Sequence, residues 1–338
     1  MPQQADFKIA TLASHSSLQI LKGARDEGFQ TIAIAEPKHV RTYQSFKLAD
    51  ELIELKSFSD LPKIDADLAK KGAILIPHAS LALALDFPKI RALQTHYYGN
   101  KDVLPLEADR QKQRQWLLDA GLTLPRIYND PEEIDGPVII KFDGAGGGKG
   151  YFLAHSPSEF KKKIIDHPGK RYMIQQYIVG NPIYMHFFQS SLTGELELMG
   201  FDKRYESNVD SVGRVAAKDQ VDLSIETSYT IVGNTPLVVR ESLLGQIFAM
   251  GEAVVEASKK IDGVGLFGPF CLETVITPEL EFYVFEISAR IVAGTNPYIN
   301  GSPYTDLRYN EPMSTGRRIA REIKLAIEQD KLERIFSQ

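Results

Sequence analysis

A glycine-rich segment between two short β-patterned runs constrains the fold of this chain more than any other feature of its sequence. The segment extends from Asp143 to Gly150; the apolar run Pro137 to Lys141 precedes it, and the apolar run Tyr151 to Ala154 follows it. Glycines let backbone N–H groups approach anionic oxygens closely, so a phosphate-binding loop is one interpretation. A plain mobile hairpin is the other, because glycine also marks ordinary turns.

The spacing of the glycines excludes the two best-known phosphate-binding loops. A P-loop needs a glycine five positions before Gly148 and a Ser or Thr after the lysine, but these positions hold Asp143 and Gly150. The dinucleotide-binding fingerprint needs a glycine where Lys149 stands, and a helix where the next strand begins. What remains is either a plain mobile hairpin or a flap between two strands, with Lys141 at its root and Lys149 at its tip, that is able to close over nucleotide phosphates.

Two β-patterned runs near residues 270 to 288, separated by four residues, predict a hairpin that carries two glutamates. With a four-residue loop, Glu273 lies opposite Val284 and Glu286 lies opposite Cys271. The two glutamates are then diagonal neighbours on one face, about 7–8 Å apart at the backbone.

The glutamates have two interpretations. Charged residues are mostly exposed, so they could line a solvated face of the sheet. However, Cys271, Val275, Phe282 and Val284 are expected on the same face, and two acids among apolar side chains favour a bound Mg²⁺ that also touches phosphate oxygens. Arg290 follows shortly after the hairpin, and either neutralises phosphate charge at this place or anchors the end of the strand.

Residues 1 to about 98 alternate between short apolar runs and helical patterns, which predicts a doubly wound parallel sheet. Ligands of such sheets bind beyond the carboxyl ends of the strands. Two polar segments are expected there, 14–17 and 77–80, and they make His15 and Ser80 candidates for ligand contacts. The alternative is that both segments only cap helices or turn the chain.

Composition narrows the class of protein. Hydrophobic residues make up 43% and charged residues 25% of the 338 positions, as in ordinary soluble globular proteins, and the length suggests more than one domain. A net charge of −5 does not favour nucleic acid as a partner. The single cysteine, Cys271, excludes an internal disulfide framework, and no two of the seven histidines have helical zinc spacing. No segment predicts a membrane span or a leader, so we expect a cytoplasmic protein.

The order of these parts resembles the ATP-grasp superfamily: a glycine flap with lysines, a strand ending in Gln175 to Gly180, and paired carboxylates on late strands. More specifically, the chain is similar to the archaeal formate-dependent FAICAR synthetases (5-formaminoimidazole-4-carboxamide ribonucleotide synthetases) over nearly its whole length. This similarity is carried by five strings in order, namely Ala13 to Ser17, Asp202 to Asp210, Val232 to Pro236, Glu286 to Asn296 and Gly316 to Ala320.

The resemblance implies a fold of class α/β and α+β: an ATP-grasp fold with an N-terminal doubly wound parallel-sheet domain. We expect that domain over 1–98, a linker helix and a lid subdomain with the glycine flap over 99–200, and a central and C-terminal subdomain with the metal site over 201–338. The implied activity is a ligase that uses ATP and formate to formylate the exocyclic amine of the purine intermediate AICAR. Formyl phosphate is the intermediate, and ADP and phosphate are released.

Roles for individual residues also follow from the resemblance alone. The implied ATP-binding residues are Lys141, Gly146, Gly147, Lys149, Gln175, Gln176, Tyr177, Ile178 and Glu206. AICAR would contact His15, Ser80 and Asn234, Mg²⁺ or Mn²⁺ would bind to Glu273 and Glu286, and Arg290 and Lys149 would be catalytic. The chain departs from many ATP-grasp proteins in having Gln175 and Gln176 where acidic residues are common, and Ser288 where asparagine is frequent.

Two other functions fit the same motifs. Another ATP-grasp ligase, with a different carboxylate and amine, would keep the features between residues 141 and 290. A nucleotide-binding regulator would keep the fold without turnover, although the intact lysines and glutamates argue against it. The expected partners are small molecules, with no nucleic acid or membrane, and a homo-oligomer is expected.

Overall fold

The computed structural model describes residues 3–142, 151–206, 212–223 and 230–336, and three β-sheets organise them. The strands are β1 Lys8–Leu12, β2 Gln30–Ala35, β3 Glu51–Glu54, β4 Ala73–Leu75, β5 His96–Tyr97, β6 Ile127–Tyr128, β7 Val138–Phe142, β8 Tyr151–Ala154, β9 Tyr172–Gln176, β10 Asn181–Gln189, β11 Leu196–Glu206, β12 Ile231–Leu237, β13 Gly268–Ile276 and β14 Phe282–Ser288.

Twelve α-helices are described in the same ranges. They are α1 Ser17–Asp26, α2 Pro37–Phe46, α3 Asp65–Lys70, α4 Ala79–Ala84, α5 Phe87–Arg91, α6 Leu104–Ala108, α7 Arg110–Asp119, α8 Pro157–Ile164, α9 Ala217–Leu223, α10 Leu244–Ser258, α11 Pro303–Tyr309 and α12 Thr315–Glu328. None of the described helices is long and apolar enough to cross a lipid bilayer.

The first sheet is parallel, in the order β3-β2-β1-β4-β5, as the alternating pattern predicts. Strands β1 and β4 are almost wholly buried, because helices cover both faces. The order reverses between β1 and β4, which makes their carboxyl ends the topological switch point where ligands of such sheets bind. His15 lies in the loop after β1, and Ser80 lies in the first turn of α4, which follows β4.

The second sheet is antiparallel, has the order β6-β9-β7-β8, and flanks the glycine-rich segment. Strand β7 alternates between buried Val138, Ile140 and Phe142 on one side and half-buried residues on the other. The buried side packs on Phe160 of α8. Lys141 therefore projects from the opposite face of the sheet, away from this core.

The third sheet is antiparallel, with the order β12-β11-β10-β13-β14. One face packs against α10 through buried apolar residues that include Phe187, Phe201 and Phe270. The opposite face carries polar residues and forms the site described below. The expected boundary between the second and third parts of the chain, at residue 200, lies inside β11. The third sheet therefore contains strands from both of these parts. The expected division into three parts remains a prediction.

The last helix joins the end of the chain to the first domain. Helix α12 packs on α1 through buried apolar residues, and Arg317 and Arg321 each form an ion pair of 2.6 Å with Glu27. The helices cross where Gly23 meets Gly316, because a Cβ on Gly23 would lie 2.2 Å from the Arg317 backbone nitrogen. A side chain at the crossing would force the two helices apart.

The sequence from Ala108 to Ala120 predicts a helix with Trp116, Leu117 and Leu118 on its apolar side, whereas α7 is shorter and begins after Asp109. The Asp109 side chain accepts hydrogen bonds from the backbone N–H groups of Gln111 and Lys112, at 2.9 and 3.1 Å, and so caps α7. Trp116 is buried, as predicted, whereas Leu118 is 45% exposed. Leu118 therefore does not belong to the apolar side of this helix.

Candidate active site

The two glutamates of the hairpin occupy directly paired positions. Glu273 on β13 lies opposite Glu286 on β14, and one extra residue, Phe285, forms a β-bulge beside the pair. Directly opposed residues share a face of the sheet, and their Cα atoms lie about 4.5–5.5 Å apart. The two carboxylates therefore project to the same side of the hairpin, as predicted.

The predicted register is wrong for two local reasons. The pair that closes the hairpin is Ile276 with Phe282, so the loop is one residue longer than expected, and Leu280 adopts a left-handed φ of 65° within it. The bulge at Phe285 then shifts the pairing by a further residue. Phe282 and Val284, expected beside the glutamates, instead belong to the apolar core on the opposite face.

Glu273 is neutralised by an arginine that the sequence analysis did not select. The Glu273 side chain is buried, and its Oε1 accepts a hydrogen bond from Arg204 Nη2 at 2.5 Å. The Arg204 guanidinium lies over the Tyr184 ring, 3.8 Å from its centre. Burial alone would lower the pKa of Arg204, but the Glu273 carboxylate raises it above its usual value. Arg204 therefore stays charged at the centre of the polar face.

Glu286 is the exposed member of the pair. The pKa of Glu286 is raised to about 7, mainly by repulsion from the Glu273 carboxylate and to a smaller extent by partial burial among protein atoms. Ser288 Oγ lies 3.5 Å from Glu273 Oε1, and Ser288 rather than Glu286 pairs with Cys271. Burial raises the pKa of the Cys271 thiol well above its usual value, so that side chain is chemically inert.

This donor set suits a hard divalent cation that shares its ligands with a substrate. Two paired carboxylates repel each other in the absence of a counter-ion, and Mg²⁺ binds through one or two carboxylates together with water and phosphate oxygens. Within the described ranges, no group of three or more His, Cys, Asp or Glu side chains is arranged to hold a metal ion. The glutamate pair therefore fits Mg²⁺ only if phosphates and water complete its coordination.

The second sheet places its lysine close to the glutamate pair. Lys141 Nζ donates to Gln175 Oε1 at 3.2 Å. Burial lowers the pKa of Lys141, and the nearby charges of Glu286 and Glu273 oppose that shift. Lys141 is thus a cation facing the two acids.

The strand end predicted to face adenine consists of half-buried residues. Gln176 Oε1 accepts from the Arg126 backbone N–H at 3.1 Å, and the Tyr177 backbone N–H donates to the Pro137 carbonyl at 2.8 Å. The Gln176 amide is therefore used in holding β6 to β9, whereas Gln175 contacts Lys141. Ile178, also half-buried, follows in the same segment.

His15 and Ser80 come together at the switch point of the first sheet. Ser80 Oγ donates to Ser14 Oγ at 3.0 Å, and the His15 ring stacks on His78 with centroids 5.3 Å apart. His15 has a left-handed φ of 56°, and its carbonyl accepts from the Asn296 side chain at 3.1 Å. Strained backbone of this kind occurs mostly at binding and active sites.

His15 stays neutral at physiological pH. Burial, with the neighbouring His78, Arg290 and Arg204, lowers the pKa of His15 to about 3. The hydrogen bond from Asn296 and the β-bridge between His78 and Ile291 place this loop beside the residues that follow β14. His15 therefore offers a neutral ring in a site that already contains two arginines.

Arg290 lies just beyond the end of β14 and is held by an acidic side chain. The strand ends at Ser288, and the Arg290 guanidinium turns to form an ion pair of 2.9 Å with Glu107. The Arg290 Nε is buried and has no hydrogen-bond partner among the described residues. Ile291, the next residue, forms a β-bridge with His78. Arg290 thus anchors the end of the hairpin next to the His15 loop, and its expected role in neutralising phosphate charge remains a prediction.

Asn234 lies on β12, an edge strand of the third sheet, and Glu206 lies on β11, the strand next to it. Asn234 on β12 pairs with Arg204 on β11, and its Nδ2 donates to Asp202 Oδ2 at 2.7 Å. Glu206 stands at the end of β11, opposite Ile231. Both therefore border the same sheet as the glutamate pair.

Several residues of the site were missed from the sequence: Tyr184, His186, Asp202, Arg204, Glu107 and His78. A usable signal exists only in β11, where Asp202, Arg204 and Glu206 alternate with other residues and so share one face. Gly146, Gly147 and Lys149, predicted to bind ATP, lie outside the described residues, and their roles remain predictions.

Comparison with known proteins decides the family. A domain of unknown function, DUF1297, matches residues 152–337, and a protein of unknown function, DUF1246, matches residues 9–128. A 5-formaminoimidazole-4-carboxamide-1-(beta)-D-ribofuranosyl 5'-monophosphate synthetase from Pyrococcus horikoshii is 54% identical over 338 residues, covering 98% of this chain and 99% of that protein. One from Methanocaldococcus jannaschii is 43% identical, covering 98% and 95%. The chain belongs to this synthetase family.

Solved structures agree with that family and with the predicted fold. The IMP biosynthesis protein PurP from Thermococcus kodakaraensis aligns with a TM-score of 0.77 and 30% identity, covering 97% of this chain and all of that one. The ADP complex of purK, an N5-carboxyaminoimidazole ribonucleotide synthetase, aligns with a TM-score of 0.66 at 14% identity, covering 94% of this chain and 77% of that one. This member of the synthetase family therefore has the predicted ATP-grasp fold.

Proposed function

We propose that the protein formylates AICAR ribonucleotide to FAICAR with ATP and formate, as a step of IMP biosynthesis. The carrying observation is that Glu273 and Glu286 are directly paired on the sheet face that also carries Arg204 and Asn234. This arrangement offers a phosphate-binding half and a ribonucleotide-binding half across one sheet face. Membership of the synthetase family supports the same assignment.

In this proposal, ATP binds between the second and third sheets. Lys141 neutralises its phosphates, Gln175 to Ile178 border adenine, and Glu206 contacts the nucleotide. Glu273 and Glu286 would hold Mg²⁺, or Mn²⁺, which would neutralise the triphosphate charge when bound. Together with the lysine, the two acids would hold the triphosphate in one orientation.

AICAR binds at the other end of the face in this proposal, against His15, Ser80 and Asn234. Arg290, with its unpaired Nε, would supply charge-assisted hydrogen bonds to an anionic group of a substrate. Because Glu107 holds the guanidinium, this donor is oriented before any ligand binds.

The chemistry needs no covalent protein nucleophile. A formate oxygen attacks the γ-phosphorus of ATP, and the bond to ADP breaks, which gives formyl phosphate. The AICAR amine then attacks the formyl carbon, phosphate leaves, and the amine loses a proton. Catalysis of this kind depends on positioning and charge neutralisation, in agreement with an inert Cys271 and with the cations of the site.

The decisive experiment is mass spectrometry of the product formed from ATP, Mg²⁺, AICAR and ¹³C-formate. We expect FAICAR that carries the label, together with ADP and phosphate, and no product when any one substrate is omitted. If no labelled product forms while another amine or carboxylate is consumed, the protein is a different ATP-grasp ligase. ATP binding without turnover of any substrate would identify a regulator. We also expect a homo-oligomer, which light scattering tests directly.

A further inference from the structure

One buried carboxylate, Asp202, determines which atom of the Asn234 amide is available to a ligand. Asp202 is 0% exposed, and its two oxygens have different partners. Oδ1 lies 2.7 Å from His186 Nε2, and Oδ2 accepts from Asn234 Nδ2 at 2.7 Å. An ionised carboxylate can only accept hydrogen bonds, so both partners must present N–H groups. The amide nitrogen of Asn234 is thereby committed to Asp202.

His186 holds Asp202 from the other side. Its ring is 1% exposed, and Nε2 must carry a hydrogen because the partner is an acceptor. Its Nδ1 has no partner among the described residues. Gly294 packs against both side chains: a Cβ there would lie 2.2 Å from Asp202 Oδ1 and 2.7 Å from His186 Cε1. The Gly294 backbone therefore packs closely against this pair, and a side chain at position 294 would displace it.

The Asn234 carbonyl oxygen is left as the free end of this chain of hydrogen bonds. Asn234 is half-buried on the polar face, next to Arg204 in the strand pairing. Because Nδ2 points to Asp202, Oδ1 points away from it, as the geometry of a planar amide requires. A ligand that meets this side chain therefore meets an acceptor.

We propose that Asp202 and His186 are positioning residues that orient Asn234 to accept a hydrogen bond from the ribonucleotide substrate. This inference rests on the proposed function and deepens it, because it specifies the chemical group that Asn234 recognises. That group is an N–H or O–H donor, which the amine, the carboxamide nitrogen and the ribose hydroxyls of AICAR provide and a phosphate dianion does not. A ligand with an acceptor in that place is rejected, because two acceptors would face each other without a hydrogen.

An exchange of the two residues tests the orientation. In Asn234→Asp, a second carboxylate faces Asp202 at a hydrogen-bond distance, and the two repel. In Asp202→Asn, the orientation of the Asn234 amide is no longer fixed, because either side-chain amide can turn to donate or to accept. In the double variant, the amide at position 202 donates to the carboxylate at position 234 and accepts from His186 Nε2. Position 234 then again presents an oxygen acceptor to the substrate.

Calorimetric titration with AICAR and, separately, with ATP gives the readout. We expect each single variant to weaken AICAR binding by about tenfold or more, the double variant to return to within about threefold of wild type, and ATP binding to stay unchanged. Asn181→Asp, the same change at an exposed position of this sheet, is the control and should bind AICAR normally. Thermal unfolding of every variant reports whether the fold is retained.

The inference is overturned if Asn234→Asp binds AICAR as wild type does, or if a folded double variant binds no better than the weaker single variant. Where the buried substitution prevents folding, the crystal structure of the wild-type complex with AICAR decides instead. An amine, amide nitrogen or hydroxyl of AICAR beside the Asn234 amide supports the inference, and a phosphate oxygen there contradicts it. Wild-type protein that fails to bind AICAR overturns the proposed function, and this inference with it.

Discussion

Glu273 and Glu286 are directly paired across one hairpin, yet only Glu273 is buried against Arg204. The charge of Glu273 is compensated by the protein itself, whereas the exposed Glu286 has a raised pKa because Glu273 repels its charge. The pair is therefore unequal before any ligand binds. Glu286 is the acid whose charge most needs an external cation.

Replacing Glu286 with Gln should abolish turnover and leave the fold intact. The change removes one charged ligand from an exposed position, and we expect kcat to fall by about 100-fold or more, as for loss of one charge-stabilising group. Steady-state ADP release and a Mn²⁺ titration followed by electron paramagnetic resonance measure the two consequences. Glu279→Gln, exposed in the loop of the same hairpin, is the matched control. Near-normal turnover of Glu286→Gln in saturating Mg²⁺ would contradict the metal role.

Replacing Arg204 with Ala should destabilise the protein in the absence of metal. The substitution leaves Glu273 buried beside Glu286 without its cation, and loss of one partner of a buried ion pair costs about 3 kcal/mol. Urea unfolding in EDTA measures the change. Lys203→Ala, at the exposed neighbouring position, should change the free energy of unfolding by less than about 0.5 kcal/mol. Equal stability of the two variants would show that Arg204 does not compensate Glu273.

Replacing His15 should impair the use of AICAR more than that of ATP. The His15 loop lies at the switch point of the first sheet, and we expect the KM for AICAR to rise about tenfold while the KM for ATP stays unchanged. His15→Asn is the better variant than His15→Ala, because asparagine tolerates a φ of 56°. His155→Ala, at a surface position of the second sheet region, is the control. Equal losses for both substrates would assign His15 another role.

His78 should make the protein sensitive to acid. Its Nε2 bonds to the Leu12 carbonyl at 2.9 Å, and its Nδ1 accepts from the Ser80 N–H at 3.3 Å, so only the neutral ring satisfies both. Burial lowers the pKa of His78 from 6.5 to about 4, and the Arg290 charge adds to that shift. As the pH falls, the unfolded chain therefore binds a proton at His78 before the folded protein does. The contribution of the neutral His78 ring to the free energy of unfolding is complete above pH 6.5 and is lost as the pH falls towards 4.

Urea unfolding between pH 7.5 and 4 tests this prediction. We expect the free energy of unfolding of His78→Gln to fall less steeply with decreasing pH than that of wild type, by up to about 1.4 kcal/mol per pH unit. His155→Ala, whose histidine is largely exposed, should retain the wild-type slope. Identical slopes for His78→Gln and wild type would show that His78 is not the group responsible.

Much of the fold could be predicted because it depends on local patterns. The alternation of apolar runs and helical segments marked the parallel sheet, and the β-patterned runs marked the hairpin of the glutamates. The register could not be predicted, because it depends on the left-handed Leu280 and on the bulge at Phe285. Neither Leu nor Phe is a residue type that indicates a left-handed φ or a bulge in advance.

The partners of the charged residues could not be predicted for a different reason. Arg204 and Glu273 are 69 positions apart, and Arg290 meets Glu107 from another helix. Such pairs depend on how separate elements pack, and sequence spacing carries no information about that packing. The ion pair of Arg290 with Glu107 could not be found from the sequence for this reason, and the neutralisation of phosphate charge by Arg290 remains a prediction.

The polar face of the third sheet also sets a length scale for its ligands. Asn234 on β12 and Glu286 on β14 belong to the opposite edge strands, with three strands between them. At about 4.8 Å per step, four steps separate these edges by about 19 Å. Because the amine of AICAR must reach the formyl group next to the phosphates, neither reactant can lie at one edge alone. The width of the sheet thus requires both reactants to extend inwards, so that their reacting groups meet above its central strands.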